Sequence, residues 1–240
     1  MKKKMVKKRK VSYGLTEVVS VVSHQLKTPL SVIKGYLEVL LSGDLGELNK
    51  EQKEYLGDVL ENTNQMIDLV KDILDVTIIE AHQIELKPVS TDLVKLIREI
   101  IQDFALLAKA RNCQLSFETE NKIPKLNIDP NKIRQVVSNL VSNAILYNKR
   151  RGQVEATIAQ KANKVVFCCH DKGIGVSKEE KSKIFTKFFR SERVLALATG
   201  GSGLGLFISQ AIIKKSGGKI WFKSKKGQGS TFCFSLPIKR

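Results

Sequence analysis

The chain has 240 residues, 42% of them hydrophobic and 27% charged, and a formal net charge of +17. These values exclude a disulfide-stapled miniprotein, a disordered chain and a collagen-like chain. Seven of the positive charges lie within the first ten residues. This excess of positive charge is compatible with nucleic acid, anionic lipid, phosphate ligands or an acidic protein as partners and does not distinguish among them.

The four cysteines show no paired CxxC spacing, so the sequence predicts no structural zinc; they are Cys113, Cys168, Cys169 and Cys233. Unpaired thiols fit a reducing compartment. No stretch reaches the roughly 18 consecutive apolar residues of a membrane span, and the basic start lacks the apolar stretch of a secretion signal. We therefore expect a soluble, cytoplasmic chain.

The N-terminal third has helical apolar spacing from about Leu15 to Ala81, and Pro29 is its only proline. A first helix of about 27 residues is predicted to end in the turn at 42–46, and a second begins near Asn49. Each apolar stripe is too wide for a single partner helix. Dimerisation into a four-helix bundle would cover both stripes, and packing of a monomer against a second domain is the alternative.

His24 lies on the polar face of the first predicted helix, five residues before Pro29. A proline inside a helix removes a backbone donor and distorts the helix at a cost of about 3 kcal/mol, so it needs a reason. The segment Ser23–Leu30, SHQLKTPL, resembles the phospho-acceptor box that begins the dimerisation and phosphotransfer hairpin of sensor histidine kinases. Without that resemblance, a surface histidine of no consequence would be the simpler interpretation.

Beyond residue 88, helical and strand patterns alternate. Helices are predicted at 93–110, 130–147 and 207–215, and strands at 114–118, 154–158, 165–170, 219–223 and 231–236. These elements predict an α/β sandwich with helices against one face of a sheet. The whole chain is therefore expected to be of the α+β class, a helical hairpin followed by this sandwich.

Two glycine clusters interrupt the pattern, at 171–175 and at 200–206, and the second runs into a helix. Glycines at such a junction bring backbone N–H groups close to phosphates, although simple tight turns are the alternative. The spacing fits neither a Rossmann nor a Walker A motif. Asn139 and Asn143 lie four residues apart on one helix face, where amide oxygens suit Mg²⁺.

In order, segments 139–144, 171–175, 184–190 and 201–206 resemble the N, G1, F and G2 boxes of the histidine-kinase ATP-binding domain, which has the GHKL (Bergerat) fold. The segment 227–237 resembles that domain's last hairpin. The resemblance covers about residues 12–240. It implies a basic segment at 1–14, a phosphotransfer hairpin at 15–81 and an ATP-binding domain at 82–240.

The resemblance also implies site residues for ATP and Mg²⁺. Asn143 ligates Mg²⁺ with Asn139 beside it, and Asp171 accepts a hydrogen bond from the adenine amine. Residues 186–202 form a lid anchored by Phe185, Phe188 and Phe189. The remaining implied contacts are Tyr147 at adenine, Gly173 and Gly175 in close approach to the nucleotide, Arg190 and Lys187 at the γ-phosphoryl group, and Gly201, Gly203, Leu204 and Gly205 at the phosphates.

The implied reaction is autophosphorylation of His24, followed by transfer to an aspartate of a response regulator. Two residues depart from the family pattern. Gln25 replaces the acidic neighbour of the histidine and predicts slowed autophosphorylation. Leu146 replaces a basic residue near the phosphates; Lys149, Arg150 or Arg151 could compensate from the following loop, although a solvated run of charges is the simpler interpretation of that cluster. Thr28 is implied in positioning water for removal of phosphate from the regulator, and a helix-capping or plain surface role is the alternative.

Three other functions stay open at this level. The chain would be a regulatory ATP-binding module that does not phosphorylate itself, if Gln25 and Leu146 abolish transfer. A non-kinase GHKL ATPase is less favoured, because it would not need the histidine hairpin. Nucleic-acid binding is supported only by the basic start, which has no recognisable reading element. That start also suits contact with an anionic lipid surface.

Overall fold

The computed structural model describes residues 2–119, 122–149, 151–191 and 201–238. The side chain of His24 and most side chains before it lie outside that description, as do Arg150 and the lid residues 192–200. The chain divides into two compact units, residues 1–83 with 200–202 and residues 84–199 with 203–240.

The first unit contains a hairpin of two helices, α1 (Lys2–Ser42) and α2 (Lys50–Glu80). Helix α1 begins at Lys2 rather than near residue 15, because lysine, arginine and methionine favour helix and no proline or glycine precedes Gly14. Gly43 follows α1 in the left-handed conformation that ends helices. Asn49 caps α2 in a reciprocal capping box with Gln52.

Few apolar side chains of the hairpin are buried within it. Leu30, Leu37 and Val76 are less than 9% exposed. A larger set along both helices is exposed, namely Val21, Val22, Leu26, Val32, Ile33, Tyr36, Val39, Tyr55, Val59, Met66, Leu69 and Ile73. The single hairpin thus leaves much of both apolar stripes in contact with solvent, as the width of those stripes predicts.

The second unit is built on a five-stranded sheet. Along the chain its elements are β1 (Val89–Thr91), α3 (Leu93–Asp103), α4 (Ala105–Ala110), β2 (Gln114–Thr119), β3 (Leu126–Ile128), α5 (Pro130–Leu146), β4 (Gln153–Lys161), β5 (Lys164–Asp171), α6 (Gly205–Lys215), β6 (Lys219–Lys225) and β7 (Gly229–Pro237). The strand order is β2-β4-β5-β7-β6, with β2 parallel to β4 and the other neighbours antiparallel. Strands β1 and β3 pair separately.

One face of the sheet packs on the helices and forms the core of this unit. Along β5 the side chains alternate between buried and half-buried, so that Val165, Phe167, Cys169 and Asp171 share the inner face. Helices α5 and α6 contribute fully buried residues, among them Ile133, Val137, Ile212 and Ile213. The α/β sandwich expected from the sequence is therefore present.

Two predicted features of this unit are wrong in detail. The helix predicted over 93–110 divides at Phe104 into α3 and α4, because the apolar stripe of α3 ends at Ile100 and α4 buries only Ala108. The prediction that all cysteines are unpaired also fails. Cys168 and Cys233 form a disulfide, whereas Cys113 and Cys169 are free and buried.

Among the described residues, none of the helices combines the length and the apolar character that crossing a bilayer requires.

Candidate nucleotide-binding site

Asp171 ends strand β5 and is only 5% exposed. Its Oδ1 atom accepts hydrogen bonds from the backbone N–H groups of Gly173, at 2.8 Å, and Ser230, at 3.2 Å. Burial raises the pKa of this carboxyl group, although the two N–H donors and His170 act in the opposite direction. Since both hydrogen bonds use Oδ1, Oδ2 is the oxygen with which Asp171 can accept from a ligand.

The loop after Asp171 packs tightly against two other segments. A side chain at Gly173 would collide with the carbonyl oxygen of Tyr147 at the end of α5. Gly175 has a φ of +62° and lies against the carbonyl oxygen of Lys225. These two glycines are therefore required by backbone packing, whether or not a ligand is bound.

Backbone hydrogen bonds join the same three segments. The N–H of Ile174 donates to the carbonyl of Tyr147 at 3.1 Å, and the N–H of Gly227 donates to the carbonyl of Ile174 at 2.7 Å. Gly229, the first residue of β7, lies directly against the carbonyl oxygen of Asp171. The end of α5, the loop after β5 and the β6–β7 turn thus meet around Asp171.

The two asparagines of α5 have different positions in the hydrogen-bond network. Asn139 donates from Nδ2 to Ser209 Oγ of α6 at 2.9 Å, and its Oδ1 accepts from Asn143 Nδ2 at 3.2 Å. Gly205 leaves room for the Asn139 amide, because a side chain there would overlap it. Asn139 is therefore held within the protein and orients Asn143, whose own Oδ1 atom is the better placed to meet a cation.

A divalent cation at Asn143 would be bound with few protein ligands. Among the described residues, no group of three or more His, Cys, Asp or Glu side chains is placed to hold a metal ion. One amide oxygen from the protein, with phosphate and water oxygens completing the shell, is the arrangement that Mg²⁺ accepts readily. The donor set around Asn143 fits Mg²⁺ bound together with a nucleotide.

Helix α6 begins beside these asparagines. Its first residue is Gly205, and no side chain caps its N-terminus. The side chain of Leu204 is fully buried, so any contact of Leu204 with phosphate would come from its backbone. Gly203 has a φ of +71° and packs against the backbone of Phe188 and Phe189. The N-terminal turn of α6 therefore presents backbone N–H groups of the kind that bind phosphate.

The predicted lid anchor is only partly correct. Ile184 is buried, and the Phe185 ring makes an edge contact with Phe222 at a centroid distance of 6.0 Å. Phe188, by contrast, is 63% exposed and has a positive φ of 59°. It therefore does not anchor this segment.

Two basic residues follow Phe185. The Lys187 ammonium lies 5.9 Å from the centre of the Phe207 ring on α6. Burial raises the pKa of Tyr147, and the positive charge of Arg190 opposes this rise, so Arg190 lies near the Tyr147 side chain. The structure thus places Lys187 beside α6 and Arg190 beside the end of α5.

Of the three residues that the sequence offers in place of the cation missing at Leu146, the structure describes two, Lys149 and Arg151. The Lys149 ammonium donates to the carbonyl of Gly227 at 2.7 Å, which ties it to the β6–β7 turn. Arg151 lines a separate open cleft of about 700 Å³ beside Cys113 and Gln114. Arg150 is outside the described residues.

In the first unit, the predicted phospho-acceptor segment lies inside α1, and the helix continues through Pro29. Gln25 and Thr28 are exposed, and Ser23 is buried. Gly201 has a positive φ of 107° and is also exposed.

Sequence reasoning missed Ser209 and Ser230 as site residues. Ser230 holds Asp171 through its backbone, and Ser209 holds Asn139 through its hydroxyl. Neither residue has a motif of its own. The signal lies in the pairing of Asp171 with Ser230 across β5 and β7, which requires the strand register.

Together, these features define an α/β sandwich with a candidate nucleotide-binding cradle around Asp171. Residues 128–240 match the family of histidine kinase-, DNA gyrase B- and HSP90-like ATPases, and residues 15–82 match the His Kinase A phospho-acceptor domain. The chain belongs to the sensor histidine kinase family and carries its catalytic core.

Two curated relatives agree with this assignment. The circadian input-output histidine kinase CikA of Synechococcus elongatus is 30% identical over 92% of this chain and 30% of its own length. The sensor protein kinase WalK of Staphylococcus saprophyticus is 34% identical over 92% of this chain and 36% of its own length. The chain thus spans about a third of the length of these relatives.

Solved structures show the same architecture. Full-length ShkA in complex with AMPPNP has a TM-score of 0.75 and 26% identity, covering 92% of this chain and 46% of ShkA. The catalytic domain of the histidine kinase ThkA is 33% identical with a TM-score of 0.55, covering 65% of this chain and 97% of that domain. ThkA in complex with the response regulator protein TrrA has a TM-score of 0.63 and 27% identity, covering 99% of this chain and 66% of that one.

Proposed function

We propose that this chain binds ATP in its second unit, transfers the γ-phosphoryl group to His24 and then passes it to an aspartate of a response regulator. The observation that carries the proposal is Asp171, a buried carboxylate with one oxygen held by two backbone donors where three segments meet. The AMPPNP complex of ShkA and the response-regulator complex of ThkA support the two halves of this reaction by similarity.

Recognition of the nucleotide base is assigned to Asp171. Its Oδ2 atom accepts a hydrogen bond from the exocyclic amine of adenine, a contact that guanine, with a carbonyl at that position, does not offer. Tyr147 is half-buried and its carbonyl accepts from Ile174 of the same loop, so its ring is assigned to the lining of the base pocket. The close packing at Gly173 and Gly175 holds this loop against the carbonyls of Tyr147 and Lys225, beside the position proposed for the base.

Recognition of the phosphates is assigned to the start of α6 and to the basic residues beside it. The backbone N–H groups from Gly203 to the first turn of α6 donate to phosphate oxygens. Lys187 and Arg190 offset the negative charge on the γ-phosphoryl oxygens. Mg²⁺, when bound, neutralises phosphate charge in the same place, and the Asn143 amide oxygen would be its protein ligand.

The phosphoryl transfer itself uses the neutral imidazole of His24. The Nε2 lone pair attacks the γ-phosphorus, the bond from that phosphorus to its bridging oxygen breaks, and ADP leaves with the oxygen. Only the neutral imidazole has a nitrogen lone pair free for this attack. An amide oxygen such as that of Gln25 would accept a hydrogen bond from an imidazole Nδ1–H and would so leave Nε2 free to attack. Because an amide is not an effective base, we expect autophosphorylation to be slow.

Thr28 is assigned to a phosphatase activity, the removal of phosphate from the response regulator. It lies four residues after His24, on the same face of α1, and is exposed. There its hydroxyl would position an attacking water. Thr28→Ala is expected to lower this phosphatase activity and leave autophosphorylation unchanged, and an equal loss of both activities would contradict the assignment.

A homodimer is the oligomeric state that we propose. The exposed apolar side chains of α1 and α2 form stripes that a second copy of the hairpin would cover as a four-helix bundle. A charge placed within these stripes, as in Ile33→Asp, is expected to convert the dimer to a monomer in sedimentation velocity. A chain that is already monomeric at micromolar concentration would contradict the proposal.

The central experiment is incubation of the chain with γ-labelled ATP and Mg²⁺. Acid-labile, base-stable label is expected on the wild-type chain and none on His24→Ala. His82→Asn is the matched control, because His82 lies just after α2 with a φ of +57° that asparagine tolerates. Retention of label by His24→Ala would reject His24 as the acceptor. A chain that binds ATP and never becomes labelled would instead be a regulatory ATP-binding module.

A further inference from the structure

Two of the four cysteines face each other across the sheet. Cys168 on β5 and Cys233 on β7 are direct partners in the antiparallel ladder, with their Cα atoms 4.1 Å apart, and they form a disulfide. This separation is that of a non-hydrogen-bonded pair, in which facing side chains are closest. The neighbouring Phe167 and Cys169 are buried in the core, so the disulfide lies on the other face of the sheet.

The same two strands hold the proposed nucleotide site. Three residues beyond Cys168 is Asp171, and three residues before Cys233 is Ser230, its partner in the ladder. The backbone N–H of Ser230 donates to Asp171 Oδ1. Between the two pairs, His170 Nδ1 and Thr231 Oγ1 are hydrogen-bonded at 2.9 Å. The disulfide therefore links the two strands at a short distance from the contact that positions Asp171.

The surroundings of the disulfide suit thiol chemistry. Lys219 and Lys223 lie on the outer face of β6, opposite the residues of β7 on either side of Cys233. Positive charge near a thiol favours the thiolate, the form that reacts with disulfides. The acidic Glu155, opposite His170 on β4, lies two ladder pairs from Thr157, the residue opposite Cys168. Cys168 is half-buried and Cys233 is 6% exposed, so a small reagent reaches the bond from Cys168.

We propose that Cys168 and Cys233 are a reversible redox-modification site that regulates nucleotide binding. A low-molecular-weight disulfide such as oxidised glutathione is the oxidant. One cysteine thiolate attacks a sulfur of the reagent, which breaks its S–S bond, expels one glutathione thiolate and leaves a mixed disulfide. The second cysteine thiolate then attacks the protein sulfur of that mixed disulfide and expels the second glutathione thiolate, so the reagent is reduced by two electrons to two thiols. In the disulfide form β5 and β7 are held together beside Asp171. In the dithiol form this covalent link is lost, and the Ser230–Asp171 contact weakens. The regulatory effect rests on the proposed function, whereas the existence of the site does not.

The chain contains its own reporter for the test. Trp221 is its only tryptophan and is the ladder partner of Cys233 on β6, on the same outer face. We expect the neighbouring disulfide to quench the indole fluorescence, so reduction should raise the emission of Trp221. The full chain is equilibrated in glutathione buffers of increasing oxidised fraction, and free thiols are counted by alkylation and mass spectrometry. ADP affinity is measured by calorimetry in the same buffers.

We expect fluorescence and thiol count to change together, in a transition of two electrons. ADP binding is expected to be about 2- to 10-fold weaker in the reduced form, the range that the net contribution of one hydrogen bond supports. Cys168→Ser should show no transition and bind ADP like the reduced chain. Cys113→Ser, at a free cysteine on another part of the unit, should keep the response. If Cys168→Ser does not fold, the reduced wild-type chain provides the ADP affinity of the form that lacks the disulfide.

Three results would overturn the proposal: thiols at both positions under fully oxidising conditions, a disulfide that resists reduction throughout the glutathione range, or equal ADP affinity in the two redox forms. Absence of ADP binding in both forms would refute the nucleotide site and, with it, the regulatory effect. The modification site would then be decided by the thiol count alone.

Discussion

Replacement of Asp171 by asparagine separates nucleotide recognition from folding. Asparagine keeps an oxygen that accepts the N–H groups of Gly173 and Ser230, but it places an NH₂ group where Oδ2 accepts from adenine. A hydrogen bond to a charged acceptor contributes about 1.5–3 kcal/mol. At about 1.4 kcal/mol per tenfold change, ADP should bind about 10- to 150-fold more weakly to Asp171→Asn.

The stability of this variant should not fall. Since burial raises the pKa of Asp171, its carboxyl group stabilises the fold most below its unfolded pKa of 3.8, and this contribution is lost as the pH rises through the higher folded pKa. At neutral pH the ionised carboxyl group therefore lowers the stability of the fold, and asparagine, which carries no charge, removes this cost. Asp171→Ala is the contrasting variant, because it leaves two buried N–H donors without an acceptor at about 1–3 kcal/mol each.

Calorimetric titration with ADP and GDP, together with urea unfolding, tests both parts of this prediction. Asp171→Asn should bind ADP weakly and unfold like the wild-type chain, and its preference for ADP over GDP should narrow because its NH₂ group donates to the guanine carbonyl. Asp171→Ala should lose both affinity and stability. Wild-type ADP affinity in a folded Asp171→Asn chain would refute the assignment of adenine recognition to this residue.

Three further predictions concern other parts of the chain. Gly205→Ala should displace the Asn139 amide and lose its hydrogen bonds, each of which contributes about 1 kcal/mol. Calorimetry should then show weaker ADP binding in the presence of Mg²⁺. Unchanged binding would contradict the positioning role of Asn139. Asp129→Ala should lower the free energy of unfolding by about 2–4 kcal/mol, because Asp129 caps α5 and accepts from the backbone N–H of Lys87. Burial acts to raise the pKa of Asp129, but its backbone hydrogen bonds outweigh burial and lower the pKa. The wild-type free energy of unfolding, measured in urea, should therefore decline as the pH falls through the lowered pKa. Asp129→Ala should lack that decline. Gln25→Glu should accelerate autophosphorylation about tenfold or more, since a carboxylate is an effective base; an equal or lower rate with intact ATP affinity would reject the explanation offered for slow transfer.

The parts of the molecule that were predictable from sequence are those with local signals. The apolar spacing of α5, its Asp129 cap and its Pro130 start predict that helix and the shared face of Asn139 and Asn143. The glycine clusters similarly mark the loop after Asp171 and the start of α6. In each case the determining residues lie within a few positions of one another along the chain.

The features that were missed depend on strand register or on very short elements. The partnership of Cys168 with Cys233, and that of Asp171 with Ser230, follow from the alignment of β5 with β7, and these residues are about 60 positions apart. Strands β1 and β3 have three residues each, too few to display alternation. The exposure of Phe188 follows from its left-handed backbone, which residue type does not indicate.

The cradle around Asp171 is made largely of main-chain atoms, and this determines how the β6–β7 turn tolerates change. Gly227 donates its N–H to Ile174, and Gly229 lies against the Asp171 carbonyl, whereas the intervening Gln228 and the preceding Lys226 are exposed. The residue type at these two exposed positions should therefore vary widely among homologues. An insertion or deletion of one residue should not be tolerated, because it would shift β7 by one position and carry every one of its side chains to the opposite side of the sheet.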